Sequence, residues 1–405
     1  MTKDERQLEI HNIILEHNVR AYFEGCTGFG KTRVAINLIK EALSRNPDRI
    51  IHVVVPSKPL ALAWTKKKTG HIDKYKLKNV FVYIVNTYVK EPRICDLLIA
   101  DEAHRYSNDS ATLFRKVIGE TQYKFVLALS ATFEGHHKSF LESRGIKSAG
   151  IVTLEEAKRE GWVADYEIIN IGLDLTDEDR KAYKKMHEGF NSNFAYFNHD
   201  FDIAMKCMTN REFRESFARD LDNITAERLF IHALNWRRNM EGRKTFLYNN
   251  IAKQEACKKI IQSFKDKHIM CFSESADFAT KLQYSLGDVS VTYHSKNKPK
   301  QNRENMAKFI DMRTRVYAMI AVKALDEGVD IPSIDLGIIA SRTSKQLQNT
   351  QRVGRTLRIV KDKKSFIINL YIKESQDEVW LKKSIKGLRC LWMEDIDSAI
   401  SYINE

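Results

Sequence analysis

The sequence predicts an α/β protein with two parallel-sheet regions and a helical segment between them. Three observations carry this. Residues 1–170 alternate strand-like apolar runs with helical periods, the pattern of a parallel sheet wrapped by helices. From about 176 to 250 the periods are helical, with no strand-like run. Strand–helix alternation returns from about 251. With 405 residues, 43% hydrophobic and 29% charged, the chain is long enough for two or three ordinary globular domains.

The elements follow in order. Val19 to Glu24 alternates as a strand, and Arg33 to Leu43 carries Val34, Leu38 and Ile39 at helical spacing. Further strands are predicted at Ile50–Pro56, Phe81–Val85, Asp96–Ala100 and Phe125–Leu129. After Leu175 the run Thr176-Asp177-Glu178-Asp179 predicts a capped helix start, and Thr209 and Thr225 are further N-cap candidates. Aromatic and basic residues interleave in this segment, among them Tyr183, Phe190, Phe194, Trp236, Arg237 and Arg238. Such a mixture can stack bases and hold phosphates, but a helical subdomain also needs a core, and most of the aromatics are assigned to it. In the last region strands are predicted at Ile269–Ser273, Val289–Tyr293, Val316–Val322, Leu336–Ala340 and Ser365–Leu370. The tail from Gln376 to Glu405 reads as helical, with Leu381, Ile385, Leu388 and Leu391 on one stripe. The expected divisions are therefore 1–170, 171–250, 251–375 and 376–405.

Charge and cysteine usage narrow the function. The formal net charge is +13 and the pI about 9.2, which points to a polyanionic partner, most simply nucleic acid. Six cysteines include no Cys-x-x-Cys pair, which argues against a zinc ribbon and for reduced thiols in the cytoplasm. No run approaches the ~20 apolar residues of a membrane span, and the charged start, Met1 to Arg6, has no apolar signal core behind it.

Two motifs carry chemistry. Gly25-Cys26-Thr27-Gly28-Phe29-Gly30-Lys31-Thr32 fits the phosphate-binding loop, with a strand before it and a helix after it. Its glycines let successive backbone N–H groups converge on one anion. Lys31 would reach the β- and γ-phosphates, and the Thr32 hydroxyl would bind Mg²⁺. Asp101-Glu102-Ala103-His104 follows a strand. Asp101 can hold Mg²⁺ through water, and Glu102 is placed to polarise an attacking water. Cys26 has two readings: a thiolate favoured by Lys31 and a helix N-terminus, or a small residue chosen for fit.

With these motifs, Ser130-Ala131-Thr132 and Gln351-Arg352-Val353-Gly354-Arg355-Thr356-Leu357-Arg358, the chain resembles a superfamily 2 DEAH-like helicase or translocase, of the group that includes restriction-enzyme motor subunits. The likeness spans roughly 1–170 and 251–375. It extends to Val55-Pro56-Ser57-Lys58-Pro59-Leu60 (motif Ia), Asn86-Thr87-Tyr88, Cys271-Phe272-Ser273 (motif IV) and Asp326-Glu327-Gly328-Val329-Asp330-Ile331-Pro332 (motif V). In build the chain is similar to the branch-migrating helicases of tailed phages, of the UvsW kind.

The resemblance implies two RecA-like domains with ATP in the cleft between them. Arg355 and Arg358 would act as arginine fingers, with Gln351 beside them, when the cleft closes. Gln7 would read adenine, and Gly328 and Asp330 would join the nucleotide site. Ser57, Lys58, Thr87, Ser273 and Lys323 would grip the backbone of one strand, without regard to sequence. Arg237 and Arg238 are candidates for duplex or junction contact. Some positions depart from the family pattern: Asp4 stands where an arginine is usual, Val322 where motif V often has Thr or Ser, and Ala63 where a glutamine precedes Trp64. The expected activity is ATP-driven movement on forked or branched DNA by a monomer. An RNA remodeller and a nucleotide-gated clamp are the alternatives.

Overall fold

The structure is a computed structural model. It describes the chain except residues 27, 92, 107–111, 163–165, 222–223, 323–333, 343–364 and 387. Thr27, Lys323, Gly328, Asp330, Gln351, Arg355 and Arg358 thus lie outside the described residues.

The first sheet contains β1 (Arg20–Gly25), β2 (Ile51–Val55), β3 (Val80–Ile84), β4 (Ile94–Ala100), β5 (Gln122–Ser130) and β6 (Lys147–Val152). Its order is β3-β2-β4-β5-β1-β6, with every pair parallel. A parallel sheet buries both faces, so its strands must be apolar on both sides. Alternate residues accordingly divide between two cores: Tyr22, Val54, Leu98 and Val126 in one, Phe23, Val53, Ile99 and Leu127 in the other. All strands point the same way, so the segments after β1, β4 and β5 leave from one edge. Register fixes their depth: Glu24 pairs with Ser130, and Ala100 with Ala128.

The second sheet contains β7 (Tyr166–Leu173), β8 (Ile269–Ser273), β9 (Ser290–Tyr293), β10 (Ala318–Val322), β11 (Leu336–Ile339), β12 (Ser365–Ile372) and β13 (Leu391–Met393). Its order is β13-β7-β12-β11-β8-β10-β9, again parallel. A boundary at residue 170 would cut β7, which pairs with β12 along its whole length. The buried Asn170 side chain accepts a hydrogen bond from Asn369 at 2.8 Å across that pair. The tail also differs from the helical expectation. Its helix stops at Ser384, Leu391 to Met393 forms β13 against β7, and a last helix, Ile396–Asn404, adds Ala399 and Ile403 to the second core.

Between β7 and β8, both strands of the second sheet, the chain forms helices Asp177–Ala195, Phe201–Thr209, Arg211–Arg219 and Ala226–Asn249. Thr176 and Thr225 cap as predicted. Thr209 does not: it ends one helix, and Asn210 caps the next, its side chain accepting from Phe213 N. Phe197, Cys207, Leu229, Ala233 and Trp236 form the core of these helices. Among the described residues no helix is long and apolar enough to cross a membrane.

Candidate active site

Gly25 closes β1, and helix Lys31–Arg45 begins at the loop's lysine. Gly28 and Gly30 have φ of 87° and 100°, in the region that side chains disfavour. At Gly30 a Cβ would also stand 2.6 Å from the Gln7 amide nitrogen. That amide donates to the Phe29 carbonyl at 2.7 Å, so Gln7 is packed against the loop's own backbone.

Lys31 is only 7% exposed, and it bridges the two motifs. Its Nζ donates to the Gly25 carbonyl at 3.1 Å and lies 3.3 Å from Glu102 Oε1. Asp101 ends the neighbouring run and is buried. Burial, and then the charge on Glu102, push its carboxyl up to about 6; Lys31 opposes this. Trp64 Nε1 donates to Asp101 Oδ2 at 3.5 Å. Glu102 itself sits at φ 50°, strained for a non-glycine residue, which turns its carboxylate back over the loop lysine.

The third motif is joined to the second. Ser130 Oγ and His104 Nδ1 are hydrogen-bonded at 2.8 Å, and His104 Nδ1 lies 3.6 Å from Glu102 Oε2. Ser130 Oγ also accepts from Thr132 N at 3.0 Å. Glu24, buried on β1, then ties this segment to the loop strand. Its Oε2 accepts from Phe133 N at 2.8 Å, and its Oε1 pairs with Lys138 at 2.6 Å. Sequence reasoning missed Glu24; a carboxylate inside an otherwise apolar buried strand was the available signal. Thr32 is partly exposed at the start of its helix.

Ser273 needs correction, and burial decides between the two readings weighed for Cys26 and for Trp236. Burial pushes the Cys26 thiol up to about 11, with Lys31 only partly opposing, so Cys26 fits the small-residue reading and not the thiolate. Ser273 has no exposed surface, and its hydroxyl is engaged with Ser275 and Ser341. A group so enclosed cannot touch a bound strand in this conformation. Trp236 is fully buried, stacked on Phe194 at 5.4 Å between ring centres, and Arg237 pairs with Glu241 on its own helix. Arg238 alone of that trio is exposed.

Of the remaining strand-gripping candidates among the described residues, Lys58 and Thr87 are accessible. Lys58 is exposed at the start of helix Lys58–Thr65 after β2, and Thr87 is exposed within the short helix Val85–Tyr88 after β3. Ser57 caps helix Lys58–Thr65, and its hydroxyl is buried with no hydrogen-bond partner among the described residues.

Comparison with known proteins agrees with this geometry. A family model for the helicase conserved C-terminal domain matches residues 252–360, and one for the Schlafen group 3 DNA/RNA helicase domain matches residues 20–132. The chain is 25% identical over 380 residues to the DNA 3'-5' translocase XPB2 of Sulfurisphaera tokodaii, covering 87% of this chain and 77% of that protein. It is 20% identical over 443 residues to the putative ATP-dependent RNA helicase MJ1505 of Methanocaldococcus jannaschii, spanning 89% of this chain and 56% of that protein. The Hef helicase domain of Pyrococcus furiosus shares the fold, with a TM-score of 0.57, 15% identity, and coverage of 94% and 97%. Two parallel sheets of the RecA-like kind, helicase matches in both, and a phosphate-binding lysine set against a carboxylate pair thus make this chain an ATP-dependent helicase or translocase, an ATPase, that carries a helicase conserved C-terminal domain and is similar to superfamily 2 motors.

Proposed function

We propose that the protein hydrolyses ATP at the Lys31–Asp101–Glu102 site to move 3′ to 5′ along DNA, acting as a monomer on forked or branched structures in recombination, repair or replication. One observation carries the chemistry: the 3.3 Å approach of Lys31 to Glu102 beside the buried Asp101. The DNA reading is supported by the likeness to XPB2 along most of both chains. The name of MJ1505 favours RNA as the second reading.

On this reading Lys31 leaves the Gly25 carbonyl and Glu102 for the phosphates of ATP. Glu102, released from Lys31, orients the attacking water. Thr32 and Asp101 would hold Mg²⁺, and Asp101 suits a cation because burial and Glu102 already disfavour its bare charge. Mg²⁺ there would neutralise phosphate charge. His104 and Ser130 pass the state of the site to the segment after β5. Arg355 and Arg358, with Gln351, Gly328 and Asp330, keep the roles that the family resemblance implies. Lys58 and Thr87 grip phosphates, and they are joined by Lys323 from the second region and by Ser57, whose buried hydroxyl must first turn outward. The helical insert selects the substrate, with Arg238 among its accessible cations. The two motor units divide between β6 and β7.

The test is the ATPase rate with single-stranded, duplex and forked DNA and with RNA as activators. Forked DNA should stimulate most. Glu102→Gln should still bind ATP but lose at least about a hundredfold in turnover. Near-normal turnover in that variant would remove Glu102 from the chemistry. Greater stimulation by RNA than by any DNA would select the RNA reading.

A further inference from the structure

Immediately after Thr132 the chain reads Phe133-Glu134-Gly135-His136-His137, a stretch to which the ATPase chemistry assigns no role. Glu134, His136 and His137 each offer one ligand atom, and these atoms lie within 4.8 Å of one another. We propose that this cluster binds a zinc-class divalent transition ion through two imidazoles and one carboxylate, leaving a fourth position for water.

The geometry is close to what such an ion requires. Donors bonded to a tetrahedral zinc at about 2.1 Å stand about 3.4 Å from each other. His136 Nδ1 and Glu134 Oε2 are already 3.5 Å apart. The third donor needs a closure of up to about 1.4 Å, within reach of side-chain rotation at two exposed residues. Mixed imidazole and carboxylate ligands suit zinc and its neighbours; Mg²⁺ prefers oxygen alone.

His137 provides an independent sign. It is nine-tenths buried, yet its Nδ1 has no hydrogen-bond partner among the described residues. Buried imidazoles normally satisfy both ring nitrogens. Phe114 meets this ring edge-on at 4.7 Å between centres, so the imidazole is already held in place before any ion arrives. Lys138, the adjacent cation, is committed to Glu24 and does not compete for the carboxylate of Glu134. Glu134 caps helix Gly135–Ser143 only through its backbone, and its side chain makes no cap bond.

A bound ion would pin the segment that carries Thr132 and Phe133 to the start of helix Gly135–Ser143. The test uses the full chain without nucleotide, in excess Mg²⁺, with Zn²⁺ titrated against a chromophoric chelator. One Zn²⁺ should bind, and Glu134→Gln and His136→Ala should each weaken it at least about tenfold. Both side chains are exposed, so folding is not at stake. His137→Phe keeps a ring against Phe114 and should weaken binding equally. The proposal is overturned if wild type takes up no Zn²⁺, or if Glu134→Gln and His136→Ala bind it as tightly as wild type; Zn²⁺ bound that way belongs to another group.

Discussion

Replacing Asp101 by Asn should make the nucleotide-free protein more stable at pH 8, although the residue belongs to the catalytic site. Asp101 is buried beside Glu102, and its carboxyl is raised from the usual 3.8 to about 6. The folded state therefore holds this proton more tightly than the unfolded chain. The stability so gained is fully present below the unfolded value and is lost as pH rises through 6. A shift of about two units at 1.36 kcal/mol each amounts to roughly 3 kcal/mol. Asn has nearly the same shape and cannot ionise, so it escapes that loss. The assay is urea unfolding of both proteins at several pH values, without nucleotide. The advantage of Asp101→Asn over wild type should grow by roughly 2 kcal/mol between pH 4 and 8, with most of the change below 6. Adding Mg²⁺ and a non-hydrolysable ATP analogue should narrow the gap, because a cation at Asp101 favours its charged form. A gap that stays constant with pH, or that opens in favour of wild type, would refute the electrostatic account.

Other perturbations test separate parts of the molecule. Trp236→Ala removes the largest side chain of the insert core and should cost about 3–5 kcal/mol, read as early loss of helical signal on heating; a cost under ~1 kcal/mol would mean that the ring is not packed as described. Lys253 and Asp377 form an ion pair at 2.6 Å with no exposed surface. Lys253→Ala should cost about 3–5 kcal/mol in urea unfolding by stranding Asp377. Lys253→Met with Asp377→Asn should recover most of this, since Asn can still accept from Ile372 N. Lys58→Ala should weaken binding to single-stranded DNA evenly across sequences and lower the salt slope by about one contact; an unchanged slope would take Lys58 off the DNA path.

Parts of this molecule were legible because their signals are local. The phosphate-binding loop needs its glycines and lysine within eight consecutive residues, and the acidic pair needs only a strand end behind it. β1, β4 and the helix after the loop were therefore found close to their observed bounds. The caps at Thr176 and Thr225 are equally local, since each side chain accepts from a backbone N–H three residues on. What was missed depends on partners far along the chain. β7 and β13 exist as strands because β7 lies between β12 and β13 in the second sheet, and no window of sequence contains all three. Leu391 fits a helical stripe by spacing, yet it pairs with Ile169. Ser273 carries the right chemistry for the role given to it, as Trp236 and Cys26 do for the functional readings weighed against packing, and burial takes it away in all three. Glu24, His104 and Ser130 meet only because β1, β4 and β5 end at one edge. The sequence by itself determined the chemistry available and the order of the elements, because residue type and short spacing decide both. Only the tertiary structure decided which groups face the nucleotide, which face solvent and where one sheet gives way to the next, because those depend on burial and strand pairing between residues distant in the chain.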